Sequence, residues 1–443
     1  MSKPRRTRLP QGPVEALIES LAQDGRGVTH LDGKAVFIHG ALPGERVRFV
    51  YERVQRRFDE GRVQEVLEPS PDRVAPRCPH FGMCGGCSLQ HLRAGAQIHV
   101  KEQVLRDALG HIGKVQPEAD YLPPLVAGHW GYRRKARLGV KYVEKKGRLL
   151  VGFRERGSAL VADLQRCEVL HPKLGQHLSE LGELIAGLTI RNRVPQVEMT
   201  MGDEACALVF RVLTPPTTDD QALLCRFGRE HGFTLYLQEA GPESVRPLDA
   251  PADLSYHLPA LDLRLRFAPL DFTQVHLELN RMLVARTLEL LDPQPQERVL
   301  DLFCGIGNFT LPLATRAGAV TGVEGEAGLV ARAQENAQAH GLDHCRFHVA
   351  NLYGPLDQAP WLRESFDQVL LDPPRSGAIE ILPLLPRLGA RRILYISCYP
   401  ATLARDAGVL VHELGYHLRS AGVMDMFPHT THVESMALFE LGH

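Results

Sequence analysis

From about Phe267 onward the chain alternates apolar strand and helix patterns, and this limits what it can fold into more than any other feature. Strands are predicted at Arg298–Leu302, Ala319–Glu324, Cys345–Val349, Gln368–Asp372 and Arg392–Ser397. The segments between them have the lengths expected of helices, so the fold class is α/β with a doubly wound, Rossmann-like parallel sheet. Ligands of such sheets sit at the carboxyl ends of the strands. There the chain reads Val299-Leu300-Asp301-Leu302-Phe303-Cys304-Gly305-Ile306-Gly307-Asn308-Phe309. Its glycines let the backbone turn sharply and approach a ligand closely. Position 310 is Thr, so the third glycine of a dinucleotide fingerprint is missing. Glu324, Asn351 and Asp372 end the next three strands, with Glu324 able to accept from both ribose hydroxyls. Four polar residues at successive strand ends point to a nucleoside-bearing cofactor, and the spacing fits S-adenosylmethionine better than a nicotinamide.

The strand Ile393-Leu394-Tyr395-Ile396-Ser397 delivers Cys398 to the same edge. A methyl donor beside a thiol suits methylation of a pyrimidine carbon. Uracil C5 is a poor nucleophile until a thiolate adds to C6 and places negative charge on C5, and a base must afterwards remove the C5 proton. Glu434, in His432-Val433-Glu434-Ser435, is the best candidate base. Taken singly, a Cys after an apolar strand is commonly buried core and a Glu commonly a solvated face. Asp372-Pro373-Pro374-Arg375 resembles the motif of enzymes that methylate exocyclic amines, which usually carry an aromatic where Arg375 stands and need no cysteine.

Upstream, residues 8–70 read as a small all-β module. Val36-Phe37-Ile38, Val47–Val50 and Gly61–Val66 are short strands punctuated by glycines, which predicts an oligonucleotide-binding-like barrel. A Pro-rich stretch follows, then Cys78-x5-Cys84-Gly85-Gly86-Cys87. Three thiolates in ten residues suit zinc or an iron–sulfur cluster, and spacing alone leaves both open. Cys167 is the best fourth ligand, because Cys206 and Cys225 lie in apolar segments. A helix is expected from Ala94 to Leu109, and one further helix, near Leu174 to Leu188, within the strand-rich region from Leu122 to Leu265.

The 443 residues suggest about three domains. A net charge of −1 hides segregation: ten Lys or Arg face two Glu between Gly128 and Arg156. That stripe fits a phosphate backbone, against the plainer reading of a solvated hairpin. Nine cysteines without a secretory leader read as reduced thiols. No membrane span is apparent, so a cytoplasmic location is expected.

Taken together, these residues resemble the RNA uridine-5-methyltransferases of the RumA/TrmA type, nearest the branch that acts on 23S ribosomal RNA. Leu21-x3-Gly25-x-Gly27, Val36–Ile38 and Ala41-Leu42-Pro43-Gly44-Glu45 look like a TRAM module. The resemblance implies that Cys78, Cys84, Cys87 and Cys167 hold a [4Fe-4S] cluster. It implies that Gln274 of Asp271-Phe272-x-Gln274, with Phe303, Asn308, Glu324, Asn351 and Asp372, binds S-adenosyl-L-methionine, that Cys398 is the nucleophile and that Glu434 is the base. It also implies a division into a TRAM domain (8–70), a central iron–sulfur domain (71–92 and 124–266) and a catalytic domain (93–123 and 267–443), acting on RNA as a monomer without DNA or membrane partners. Two residues depart from the family pattern: Tyr399 stands where Asn usually follows the nucleophile, and His276 replaces a common Asn. The rival readings are an RNA cytosine-5-methyltransferase, and a non-catalytic iron–sulfur RNA-binding assembly factor.

Overall fold

A computed structural model describes residues 9–10, 12–356 and 359–442. The chain divides into two compact units. Unit 1 comprises residues 1–101, Arg154–Ala159 and Pro428–Thr431, and unit 2 the remainder.

Unit 1 opens with six strands: β1 (Val14–Leu17), β2 (Ser20–Leu21), β3 (Gly27–Leu31), β4 (Lys34–His39), β5 (Arg46–Val54) and β6 (Phe58–Glu68). They form one sheet in the order β1-β5-β6-β4-β3-β2, antiparallel except for β4 against β6. Alternate residues turn inward, so Ala16, Val36, Ile38, Val47 and Phe49 fill a single core. Glu45 is fully buried at the start of β5. Its carboxylate accepts from Leu42 N at 2.8 Å, Ser70 N at 3.1 Å and the Arg73 guanidinium at 2.5 and 2.7 Å. Burial pushes this carboxyl up, but the four donors outweigh it and hold it below its ordinary value. The helix α1 (Ala94–Ala108) follows the cysteine segment and continues into unit 2.

Unit 2 contains two large sheets. The first is built from β7 (Lys135–Val143), β8 (Arg148–Gly152), β9 (Gln196–Met201), β10 (Cys206–Arg211), β11 (Thr234–Gln238) and β12 (Arg246–Pro247), in the order β12-β11-β10-β9-β7-β8. It carries α2 (Pro172–Gly175), α3 (Leu178–Gly187) and α4 (Thr218–His231). The helix α4 overturns the expectation of one helix in this region. It crosses between the parallel strands β10 and β11 and starts from a capping box, in which Thr217 Oγ1 accepts from Asp220 N and Asp220 accepts from Thr217 N. A hairpin, β13 (Ser255–Leu258) with β14 (Leu263–Arg266), leads to α5 (Leu277–Leu291).

The second sheet comprises β15 (Arg298–Leu302), β16 (Ala319–Glu324), β17 (Cys345–Val349), β18 (Gln368–Leu371), β19 (Arg392–Ser397), β20 (Tyr416–Met424) and β21 (Glu434–Leu441). Its order is β17-β16-β15-β18-β19-β21-β20, parallel apart from β21, which runs antiparallel to both neighbours. The strand order reverses at β15, so a crevice opens between the carboxyl ends of β15 and β18. Central strands buried on both faces explain the unbroken apolar runs Val369–Leu371 and Ile393–Ile396. Of the connecting helices, α7 (Ala327–Ala339) and α8 (Pro400–His412) are full length, whereas α6 (Thr310–Ala314) has five residues. Among the described residues, short 3-10 turns, Pro360–Arg363 and Leu382–Leu384, join β17 to β18 and β18 to β19. Prolines at 355, 360, 373, 374, 383 and 386 remove helical donors there, which corrects the expectation of helices in those two connections.

Residues 109–125 bind this sheet's far edge. Gly113 lies against α8, where a Cβ would stand 2.4 Å from the Ala404 carbonyl oxygen. Glu118, Ala119, Leu122 and Leu125 then donate backbone N–H groups to carbonyls of β20, covering an otherwise open edge strand. Among the described residues, no helix is long and apolar enough to cross a membrane.

Candidate active site

The loop after β15 is shaped by left-handed backbone at Phe303 (φ +66°), Gly305 (φ +55°) and Gly307 (φ +91°). Phe303 is the costly one, because its side chain disfavours positive φ. Its N–H and that of Cys304 both donate to Val323 O on β16, at 2.8 and 3.1 Å. The Phe303 ring meets that of Tyr353 at 5.7 Å. Glu324 closes the loop from the next strand. Its carboxylate accepts from Gly305 N at 3.2 Å, Gly325 N at 2.6 Å and Glu326 N at 3.1 Å. Asn351 Oδ1 accepts from Tyr353 N at 3.1 Å, and the Tyr353 hydroxyl donates to Gly377 O at 2.9 Å. These bonds draw the loops after β15, β16, β17 and β18 together over the crevice.

Asp301, the first of the four polar strand-end residues, is the most enclosed carboxyl of that set. Oδ2 accepts from Thr310 Oγ1 at 2.5 Å, while Oδ1 is buried with no hydrogen-bond partner. Burial pushes this carboxyl up to about 7, and burial does the same to Asp372. An orphaned acceptor under a glycine loop suits a ligand that brings its own donors. Asn308 is used differently. Its Oδ1 accepts from Tyr256 Oη at 2.7 Å and Asn280 Nδ2 at 2.8 Å, and its Nδ2 donates to Asn280 Oδ1 at 3.0 Å. It therefore ties the glycine loop to α5 and the β13–β14 hairpin.

Gln274 is half-buried in the loop before α5. That loop is anchored through Asp271, whose carboxylate accepts from Ala268 N at 2.6 Å and pairs with Arg332 of α7. His276 caps α5. Its Nδ1 accepts from Leu279 N, its Nε2 donates to Gly128 O at 2.7 Å, and its ring stacks on Tyr132 at 4.9 Å. The basic stripe is likewise partly structural, which narrows the expected phosphate-binding face. Arg134 donates to Gly202 O at 2.6 Å, Lys135 is bound to the Asp271 carbonyl, and burial pushes the Lys135 amine down to about 8. Lys141, Lys145, Lys146 and Arg148 remain exposed, the last two paired with Asp163.

Cys398 follows β19, and Glu434 opens β21. The register pairs Ser397 with Ser435, so the two residues are side by side at one edge of the sheet, where β19 ends and the antiparallel β21 begins. The thiol is pushed up to about 11, first by burial and then by the Glu434 and Asp372 carboxylates, with Arg375 opposing. Cys398, Glu434, Asp372 and Arg375 thus share one electrostatic environment. Arg375 also contacts His432 Nδ1 at 3.1 Å. Tyr399 is 45% exposed, and its backbone is fixed by Ser397 and Thr402 hydroxyls.

In unit 1, Cys84 and Cys87 are buried, Cys78 is half-buried, and none forms a disulfide. Gly86 N–H points at Cys84 Sγ at 3.3 Å, and Arg156 donates to Cys87 O at 3.2 Å. Cys167 is a half-buried thiol of unit 2.

Family models match three stretches: a TRAM domain over 13–64, a methyltransferase domain over 293–393, and a tRNA (uracil-5-)-methyltransferase over 358–441. The chain is 56% identical over 438 residues to the 23S rRNA (uracil(1939)-C(5))-methyltransferase RlmD of Methylococcus capsulatus, covering 98% of this chain and 99% of the relative. It is 56% identical over 440 residues to the protein of the same name in Nitrosococcus oceani, covering 99% and 98%. It belongs to the RNA uracil-5-methyltransferase family. Among solved structures of the family, the tRNA (uracil-54, C5)-methyltransferase of Pyrococcus abyssi, bound to S-adenosyl-L-homocysteine, is similar over 96% of this chain and 99% of its own. That similarity has a TM-score of 0.73 at 25% identity.

Proposed function

We propose that the protein methylates C5 of a uridine in 23S ribosomal RNA, the uracil 1939 of its relatives' names, giving 5-methyluridine. One observation carries the reading: a thiol and a carboxylate side by side on adjacent strands, at the ligand edge of a methyltransferase sheet. Bound S-adenosyl-L-methionine supplies an electrophilic methyl group. Gln274, Phe303, Glu324, Asn351 and Asp372 hold the donor, and Asn308 positions its loop. The Cys398 sulfur adds to C6 of the extruded uracil. C5 then takes the methyl group, and Glu434 removes the C5 proton so that the C6–sulfur bond breaks and Cys398 leaves as the thiolate. The thiol starts protonated, so RNA binding has to complete its ionisation.

The TRAM module and the exposed tip of the basic hairpin hold RNA through phosphates and stacking. Cys78, Cys84, Cys87 and Cys167 hold a [4Fe-4S] cluster, by the family's cysteine pattern. The N–H directed at Cys84 sulfur and the guanidinium beside Cys87 suit thiolate ligands. The division into residues 8–70, 71–92 with 124–266, and 93–123 with 267–443 belongs to the same proposal.

RNA carrying 5-fluorouridine tests the mechanism, because fluorine at C5 blocks the final elimination. A stable protein–RNA adduct should form with the donor present and disappear in Cys398→Ala. Glu434→Gln should accumulate methylated adduct on ordinary RNA, and normal turnover of that variant would remove Glu434 from the mechanism. Iron and acid-labile sulfide are expected after anaerobic purification. One zinc without sulfide would overturn the cluster.

A further inference from the structure

Far along the chain from the catalytic loops, three donor groups of unit 2 converge between two helices. His177 precedes α3, Glu180 lies in the first turn of α3, and His231 is the last residue of α4. His177 Nδ1 lies 2.9 Å from Glu180 Oε2, and His231 Nε2 lies 3.4 Å from the same oxygen. All three donor atoms fall within 4.8 Å of one another. We propose that His177, Glu180 and His231 form a divalent-metal site of the zinc class, stapling α3 to α4.

The dimensions support a metal. Bonds of about 2.0–2.1 Å in a tetrahedral zinc site put neighbouring ligand atoms about 3.3 Å apart. Two edges of the triangle, 2.9 and 3.4 Å, already bracket that length. Little rearrangement is needed, so little side-chain entropy is lost on binding.

The donor chemistry agrees. Two imidazoles and one carboxylate, with a fourth position open to water, suit zinc and other late divalent ions better than calcium or magnesium, which demand more oxygens. The His231 ring is also held in place. It contacts Phe227 at 4.4 Å, Phe233 at 6.2 Å and the His177 ring at 4.9 Å. Packing that fixes a ligand's rotamer before binding is what a preformed site requires. Without metal, His177 Nδ1 hydrogen-bonds to Glu180 Oε2 and His231 Nε2 faces the same oxygen at 3.4 Å. With metal, each ring takes the neutral tautomer whose proton sits on its other nitrogen, so the lone pairs of His177 Nδ1 and His231 Nε2 turn to the ion together with Oε2.

Cobalt distinguishes this site from the cysteines. The full-length, cluster-loaded protein is titrated with Co2+ under anaerobic conditions. One equivalent should produce visible d–d bands of a four-coordinate ion without a sulfur-to-cobalt charge-transfer band, and Zn2+ should displace it. His231→Gln and His177→Gln should each lose that equivalent, and Glu180→Gln should weaken it at least tenfold, while RNA methylation is unchanged in all three. No cobalt equivalent, the same equivalent in both histidine variants, or a band showing sulfur ligation would each overturn the site.

Discussion

The state of the Cys398 thiol before RNA arrives can be measured directly. An ordinary thiol titrates near 9.0, whereas this one is placed at about 11 by burial and two carboxylates. At pH 7.5 the thiolate fraction falls from about 3 in 100 to about 3 in 10,000. Two effects shrink the observable difference. The more basic thiolate is intrinsically more reactive, which returns about tenfold over this interval. Partial exposure screens the carboxylates, so part of the remaining tenfold is lost as well. Iodoacetamide alkylation of Cys398 in RNA-free protein, followed by peptide mass spectrometry, should therefore run about three- to tenfold slower than an ordinary thiol at pH 7.5. Its rate should still be climbing at pH 10. Glu434→Gln removes a charge about 5 Å away across the strand pair, and at a largely solvent-screened dielectric of about 50–80 that lowers the midpoint by about half to one pH unit. Arg375→Gln should move it the other way. A wild-type profile that levels off near pH 9, or a Glu434→Gln profile that superimposes on it, refutes the electrostatic reading of the site.

Three further outcomes follow from other contacts. The Asp372 carboxyl is raised from 3.8 to about 7 by burial, so the folded state holds a proton that the unfolded chain has released. Its contribution is complete below about pH 4, declines as pH rises to about 7 and is constant above. Thermal midpoints of Asp372→Asn relative to wild type should rise between pH 5 and 7 and then plateau, and a flat difference would contradict the assignment. Arg73→Met strands the Glu45 carboxylate in unit 1 and should cost about 3–5 kcal/mol in urea unfolding, whereas a loss below about 1 kcal/mol would mean that Glu45 is solvated. Gln97, almost fully buried, donates to Leu89 O at 3.0 Å and Leu92 O at 2.7 Å and accepts from His429 N at 2.8 Å. Gln97→Leu leaves these backbone groups without it and should cost about 2–3 kcal/mol by the same assay.

The five parallel strands from Arg298–Leu302 to Arg392–Ser397 were legible because the central ones are apolar on both faces and bounded by glycine or a polar end, as in Arg298–Leu302. The connections were not. The prolines that replace two helices by tight turns were visible, but the regular spacing of the strands outweighed them. The helix α4 carried a readable start signal in Thr217-Thr218-Asp219-Asp220, obscured by the strand-rich residues around it. The placement of β21 between β19 and β20 depends on pairing across 38 residues, from Ser397 to Ser435, for which no local pattern exists. The same distance hides partners within the site. Asn308 reads as a ligand contact, yet its amide is committed to Asn280 and Tyr256, 28 and 52 residues away. Arg134 and Lys135 read as surface charge, although the carbonyls they bind lie far along the chain. His276, a departure from the family pattern, proves to be a helix cap and a stacking partner.

The place of β21 in the sheet bears on how the protein is made. An emerging polypeptide completes β20 before β21 exists, so β20 has no neighbour on its inner side, and the open flank of β19 is an unpaired apolar edge. That edge closes only when the strand bearing Glu434 slides between two strands synthesised before it. Synthesis therefore places the Glu434 carboxylate last, so in the proposed mechanism an incomplete chain carries the Cys398 thiol without the group that would release it.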